Sequence, residues 1–190
     1  MEENKKNCCS REGCGCPLGV RTLQPEGSPP TKQAYSHGVL VPLPGADLLF
    51  TAGQIAKDAE GHIVGANDIV KQTETVFENI RKILSSAGME FGDVIKAQIF
   101  LTREEDVPVV QGIRNKYFGA NKPVSTMLVI SQLVHPEYWV EIEVVAVRAH
   151  KKECRIGHFF KRLFGCKKES CCHSHTDGKA AAGQCCKDKN

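Results

Sequence analysis

The chain has 190 residues, carries 25 Lys plus Arg against 22 Asp plus Glu for a net charge of +3, and is 25% charged. On a prior of roughly 100 to 200 residues per domain, this length suggests one domain with appendages. The charge balance excludes a wholly disordered chain and one built mainly around nucleic acid. No apolar run approaches the roughly 20 residues that cross a bilayer. The opening MEENKKN is charged with no apolar stretch behind it, so neither a membrane span nor a signal peptide is expected.

The averages hide a division. All ten cysteines lie outside residues 17–153, with Cys8, Cys9, Cys14 and Cys16 before and Cys154, Cys166, Cys171, Cys172, Cys185 and Cys186 after. Residues 151–190 hold ten Lys or Arg against four Asp or Glu, +6, whereas residues 31–150 sum to −3 and residues 1–30 to zero. Residues 1–30 therefore read as a flexible Cys-, Gly- and Pro-rich arm, 31–150 as the folded domain, and 151–190 as a basic Cys-rich tail.

In chain order, HGVLVPL and ADLLFTAGQI are short apolar runs separated by Pro44 and Gly45, which predicts two antiparallel strands joined by a tight turn. A second turn at Asp58 to Gly61 leads into a short strand around Ile63 and Val64. Ile69, Thr73, Val76, Phe77, Ile80, Ile83, Leu84 and Ala87 recur at spacings of three and four and predict a helix over 67–87. Asn67 or Asp68 caps its start and Gly88 ends it. In DVIKAQIFLT, Ile95, Ala97, Ile99 and Leu101 alternate with Val94, Lys96, Gln98 and Phe100, a strand with one mostly apolar face. A helix follows from Val107 to Phe118, with Asp106 as cap, Pro108 in its first turn and Gly119 beyond its end. STMLVIS and EYWVEIEVVAVRA are two further strands. This α+β order over about 120 residues buries roughly two-thirds of the unfolded surface, enough to need no cysteine staples.

LLFTAGQI, IVKQTETVFENI with its end at SSAGM, DVIKAQIFLT, KYFG before KPVST, and VEIEVVAV together resemble the RidA family, also called YjgF or L-PSP, over residues 31–149. The resemblance implies a chorismate-mutase-like α+β fold, a mixed sheet packed against two helices, assembled as a cytoplasmic homotrimer with a cleft between each pair of neighbouring subunits. Its members hydrolyse reactive imines and enamines such as those released by pyridoxal-phosphate dehydratases. They use no cofactor: water attacks the C=N carbon, a carboxylate orients it or helps protonate, and an arginine holds the substrate carboxylate.

Carried over by position, the resemblance puts the catalytic glutamate on Glu141 and the tyrosine near the start of the fold on Tyr35. Ala52 stands where a serine is usual, followed by the retained Gly53 and Gln54, and Gln111 where an asparagine is common. The departure is the arginine. After Pro123 and Val124 the chain has Ser125 and Thr126, and Ser125 occupies the arginine's place. Hydrogen bonds to a charged partner contribute about 1.5 to 3 kcal/mol each, and an arginine fork makes two. A shortfall of about 3 kcal/mol in the transition state exceeds a hundredfold in rate. Lys122 lies on the wrong side of Pro123, and Arg114 is one helical turn from Gln111 without a family precedent. The expectation is an imine or enamine deaminase that does not take ordinary 2-imino acids.

Each residue has a plainer reading. Glu141 shares a strand face with Trp139, Glu143, Val145 and Val147, where a structural salt bridge or an exposed acid at a trimer rim would serve; Tyr35 packs; Ser125 and Thr126 are hydroxyl fillers of an inter-subunit pocket; His135 is a loop histidine. A noncatalytic small-ligand-binding or metal- or redox-linked interaction protein is the alternative. A ribonuclease or translation-inhibitor role ranks last, because the domain is acidic and only the tail is basic.

The tails offer soft donors, with Cys171, Cys172, His173, His175, Cys185 and Cys186 as the candidate ligands for zinc or another soft metal. No pair has the two-residue gap of an ordinary zinc finger. Disulfides among the ten cysteines, lipidation at Cys8 and Cys9, and an incidental tail are the alternatives, Glu2 excluding N-myristoylation. His158 to Phe164 is a short basic and apolar stretch, too brief to assign to a membrane or partner.

Overall fold

The computed structural model describes residues 19–29, 31 and 34–150. The cysteine and histidine ligand set expected of the C-terminal tail, and the cysteines of the N-terminal arm, lie outside the described residues.

Six strands form one mixed sheet: β1 (Arg21–Leu23), β2 (Gly38–Leu43), β3 (Ala46–Thr51), β4 (Val94–Leu101), β5 (Val124–Val129) and β6 (Val140–Ala149). Their spatial order is β1-β2-β3-β6-β4-β5, antiparallel throughout except for the parallel pair β4 and β5. Helix α1 (Ile69–Ser86) links β3 to β4, and α2 (Val107–Phe118) links β4 to β5, the long connection that a parallel pair requires. The fold is thus the expected α+β arrangement of a mixed sheet and two helices.

The apolar stripe of α1 does what its spacing predicts: Val76, Phe77, Ile80, Ile83 and Leu84 are completely buried. They meet Leu40, Leu49, Ile99 and Ile142 from one face of the sheet, and α2 adds Val110, Ile113 and Phe118 to the same core. Asp68 caps α1 by accepting from Lys71 N at 3.0 Å. At its other end Gly88 takes φ +69°, a conformation that costs glycine little and stops the helix.

Several sequence expectations need correction. Arg21–Leu23, placed in the flexible arm, pairs with Gly38–Leu40 as the edge strand β1. Three residues carry no readable period, and only the partner strand defines them. Ile95 was expected on the buried face, but a register shift between Val94 and Lys96 turns it out to 49% exposure and buries Val94 instead. Asp106 makes no capping bond. Its buried carboxylate takes both prongs of Arg103, at 2.7 and 2.8 Å, and the guanidinium lies 3.4 Å from the centre of the Trp139 ring. A charge-assisted bidentate pair outcompetes a single cap bond.

Two buried polar side chains of α1 tie down irregular loops. Gln72 donates to the carbonyls of Gly65 (3.1 Å) and Glu137 (2.8 Å) and accepts from Trp139 N (2.9 Å). Asn79 donates to the carbonyl of Lys57 at 2.9 Å. Between them they fix the chain after β3 and the chain before β6, the two segments that border the cleft described next. Around Ile63 only an isolated bridge to Lys57 forms in place of the expected short strand. No helix among the described residues is long and apolar enough to cross a membrane.

Candidate functional site

The site begins where β3 stops. Beyond Thr51 the chain keeps to β6 through one displaced bridge: Gln54 N donates to the Ile142 carbonyl at 2.8 Å and Ile142 N to the Gln54 carbonyl at 3.0 Å. Ala52 N donates to the His37 carbonyl at 2.9 Å, so the segment before β2 flanks the other side. The buried Gln54 side chain folds back to donate to the Ala52 carbonyl at 3.0 Å. The result is a short ribbon centred on Gly53, with hydrogen bonds at the residues on either side of it.

On β6, Val140 and Ile142 are completely buried, so the strand's alternation turns Glu141 to the opposite face. There its carboxylate lies over Gly53. A Cβ at residue 53 would sit 2.7 Å from Glu141 Cδ and 3.1 Å from its Cγ, and would overlap Oε1. Only a residue without a side chain allows this approach. Burial, with the charge of Glu143 two residues away adding to it, pushes the Glu141 carboxyl above the ordinary glutamate range. No salt bridge forms between it and the described residues, so the salt-bridge reading of Glu141 has no partner there.

This carboxylate faces a cleft of about 650 Å³ that also holds Tyr35, His37, Ala52 and Lys57. Tyr35 is 53% exposed and sets its ring edge-on to His37, centroids 6.3 Å apart. His37 is 95% buried, 5% of its surface remaining. Its Nε2 lies 2.7 Å from the Pro29 carbonyl, an acceptor, so Nε2 donates there. Nδ1 is buried without a hydrogen-bond partner among the described residues.

Of the residues singled out in the sequence, Tyr35, Ala52, Gly53 and Glu141 come together in this cleft, and Gln111, Ser125 and Thr126 do not line it. Gln111 is exposed on α2. Ser125 and Thr126 are exposed on the edge strand β5 and belong to opposite sheet faces: Ser125 registers with Ala97 and Val144, Thr126 with Gln98 and Glu143. His135 lies in the loop before β6, 50% exposed beside Glu137. Sequence reasoning missed His37, the first residue of the HGVLVPL run, and Lys57; neither position shows in the sequence that it borders the cleft.

A second depression, of about 400 Å³, lies over α1 among Lys71, Glu74, Glu78, Lys82 and Tyr117. Glu78 there is already engaged by Arg81 and the Tyr117 hydroxyl. It brings together none of the expected catalytic groups. The ligand atoms of Asp58, Glu60 and His62 lie within 4.8 Å of one another. The hydrogen bonds of Glu60 N and His62 N to Asp58 Oδ1 account for that grouping as an ordinary turn.

Residues 26–148 match the family model described as Endoribonuclease L-PSP. The chain belongs to that family. It is 33% identical over 125 residues to the 3-aminoacrylate deaminase RutC of Acinetobacter baylyi, covering 65% of this chain and 94% of the relative. To the 2-iminobutanoate/2-iminopropanoate deaminase of Salmonella typhimurium it is 28% identical, covering 67% and 98%. Among solved structures, a Yersinia pestis protein of the conserved Rid family shares 30% identity with a TM-score of 0.60, covering 67% of this chain and 98% of that one. The L-PSP match begins at residue 26, inside the segment the sequence alone assigned to a flexible arm.

Proposed function

We propose that this member of the L-PSP family hydrolyses reactive imines or enamines without a cofactor, as a homotrimer of chorismate-mutase-like architecture. The observation that carries the reading is the half-buried carboxylate of Glu141, with no salt-bridge partner among the described residues, held over Gly53 in a cleft with Tyr35. The names of two relatives, both deaminases of small unsaturated nitrogen compounds, support it.

The chemistry needs water alone. An enamine first takes a proton on carbon to become the imine. Glu141 accepts a proton from water as the oxygen bonds to the C=N carbon, and the nitrogen takes up that proton. Collapse of the carbinolamine then breaks the C–N bond and yields a carbonyl compound and ammonia. A carboxylate whose proton affinity burial has raised suits both accepting and returning the proton. Polyanionic RNA is a poorer fit, because the charged cleft residues comprise two carboxylates, Glu60 and Glu141, against one ammonium, Lys57.

The homotrimer explains why Gln111, Ser125 and Thr126 lie apart from Glu141 within one chain: a site shared between neighbours draws its halves from different surfaces. It also gives a partner to the uncovered sheet face, where Phe50 is 45%, Leu128 47% and Val124 69% exposed. With Ser125 in the arginine's place, the substrate is an imine whose binding does not rest on an α-carboxylate fork. Imines generated in situ from amino acids and from amines lacking a carboxylate test this. Wild type should hydrolyse the amine-derived imines, and Ser125→Arg should gain on imino acids. Inertia of both proteins toward every imine would favour the noncatalytic alternative.

A further inference from the structure

Lys57 is the one Lys or Arg among the described residues that line the cleft, and it also borders the depression over α1 that holds Glu74 and Glu78. Its backbone is fixed: Lys57 N donates to the Ile55 carbonyl at 2.8 Å, its own carbonyl accepts from Asn79 at 2.9 Å, and it bridges to Ile63. Its half-buried side chain leads the ammonium to 5.6 Å from the centre of the Tyr138 ring. Among the described residues it forms no salt bridge, although Glu60 and Glu141 line the same cleft. A cation fixed at its root, resting on an aromatic face and left without a carboxylate partner is available to an anionic ligand.

We propose that Lys57 is a specificity-determining residue that binds an anionic substituent of the substrate. The proposal rests on the imine hydrolase reading and narrows it. An arginine fork selects a planar carboxylate in one orientation, whereas lysine presents a point charge on a flexible four-carbon stem. With serine at position 125, the cleft selects imines or enamines whose negative group stands away from the C=N carbon and within reach of Lys57, in preference to 2-imino acids.

The test compares two imines of equal chain length, released by base elimination from the N-chloro derivatives of butylamine and of 4-aminobutanoate. The first product is neutral; the second carries a terminal carboxylate. Full-length wild type is expected to favour the anionic imine by tenfold or more in kcat/KM. Lys57→Met should bring that ratio down to about one, and Lys57→Arg should restore most of it. An unchanged ratio in Lys57→Met overturns the proposal. Should wild type hydrolyse neither imine, the hydrolase reading fails on its own, and Lys57 is then judged by titrating butanoate into the protein with an NMR readout. Affinity at least tenfold weaker in Lys57→Met upholds the anion site; equal affinity, or no binding to wild type, overturns it.

Discussion

Glu141 and Gly53 occupy each other's space: the glutamate's Cδ lies 2.7 Å from where a Cβ on residue 53 would stand. The carboxylate is placed by the absence of a side chain, and Gly53 by two hydrogen bonds between Gln54 and Ile142, the residues next to each partner. Gly53→Ala is therefore expected to displace Glu141 and not to unfold the domain. Overpacking of this kind costs about 1 to 3 kcal/mol. We expect kcat/KM for imine hydrolysis to fall at least tenfold with the urea midpoint lowered only modestly. Full turnover in Gly53→Ala would show that the contact does not position the carboxylate.

The raised proton affinity of Glu141 has a definite signature. If Glu141 acts as the base, activity is lost as pH falls through its folded-state pKa, so the acid limb of kcat/KM against pH lies above the ordinary glutamate range. Glu143→Gln removes the neighbouring negative charge and should move that limb to lower pH. The linked stability runs the other way. A carboxyl with a raised folded pKa binds more protons folded than unfolded between the two values, so its contribution to stability declines as pH rises through that window. Glu141→Gln should therefore gain stability over wild type as pH rises toward neutrality, measured by urea unfolding at both ends of the window.

Arg103 predicts a purely structural effect. It holds the buried Asp106 with two bonds and lies over Trp139, two residues before Glu141. Arg103→Met leaves a buried carboxylate unpaired and should destabilise the fold by on the order of 3 kcal/mol. A shift well under 1 kcal/mol in urea unfolding would mean that Asp106 finds other partners.

What the sequence could and could not show divides along physical lines. The apolar stripe of α1 was legible because a helix repeats its buried face every three or four residues, and β2 to β6 with both helices followed from similar periods, whereas the three-residue β1 was not read and the strand expected at Ile63 is only an isolated bridge. Glu141, Tyr35, Ala52 and Gly53 were legible as a group only through family resemblance, since nothing in their spacing says that β6 and the end of β3 adjoin. Ile95 was misplaced because a bulge shifts the alternation by one residue without changing composition. Asp106 looked like a cap because the cap position is local, whereas the balance between capping and pairing with Arg103 is set by burial. Lys57 and His37 carry no local signal. Their positions depend on Gln72 and Asn79 anchoring loop carbonyls and on Pro29 approaching His37.

The uncovered sheet face yields a prediction about assembly. Phe50 is in register with Val39 and Val145, a row of apolar side chains across three strands. A trimer that buries this face should be broken by Phe50→Arg, which places a charge where an apolar partner is expected. Sedimentation should show three chains of 20.9 kDa each in wild type and one in the variant. A monomeric wild type would remove the shared-site explanation for Gln111, Ser125 and Thr126.

The most direct test of the central claim is single-turnover hydrolysis of an amine-derived imine by wild type and Glu141→Gln, followed by ammonia release. The glutamine keeps the size of the side chain and loses its capacity to take a proton. The account predicts that wild type accelerates hydrolysis well above the buffer rate and that Glu141→Gln falls by at least a hundredfold, within the range that a positioned acid-base group contributes. A Glu141→Gln protein with the turnover of wild type would contradict it.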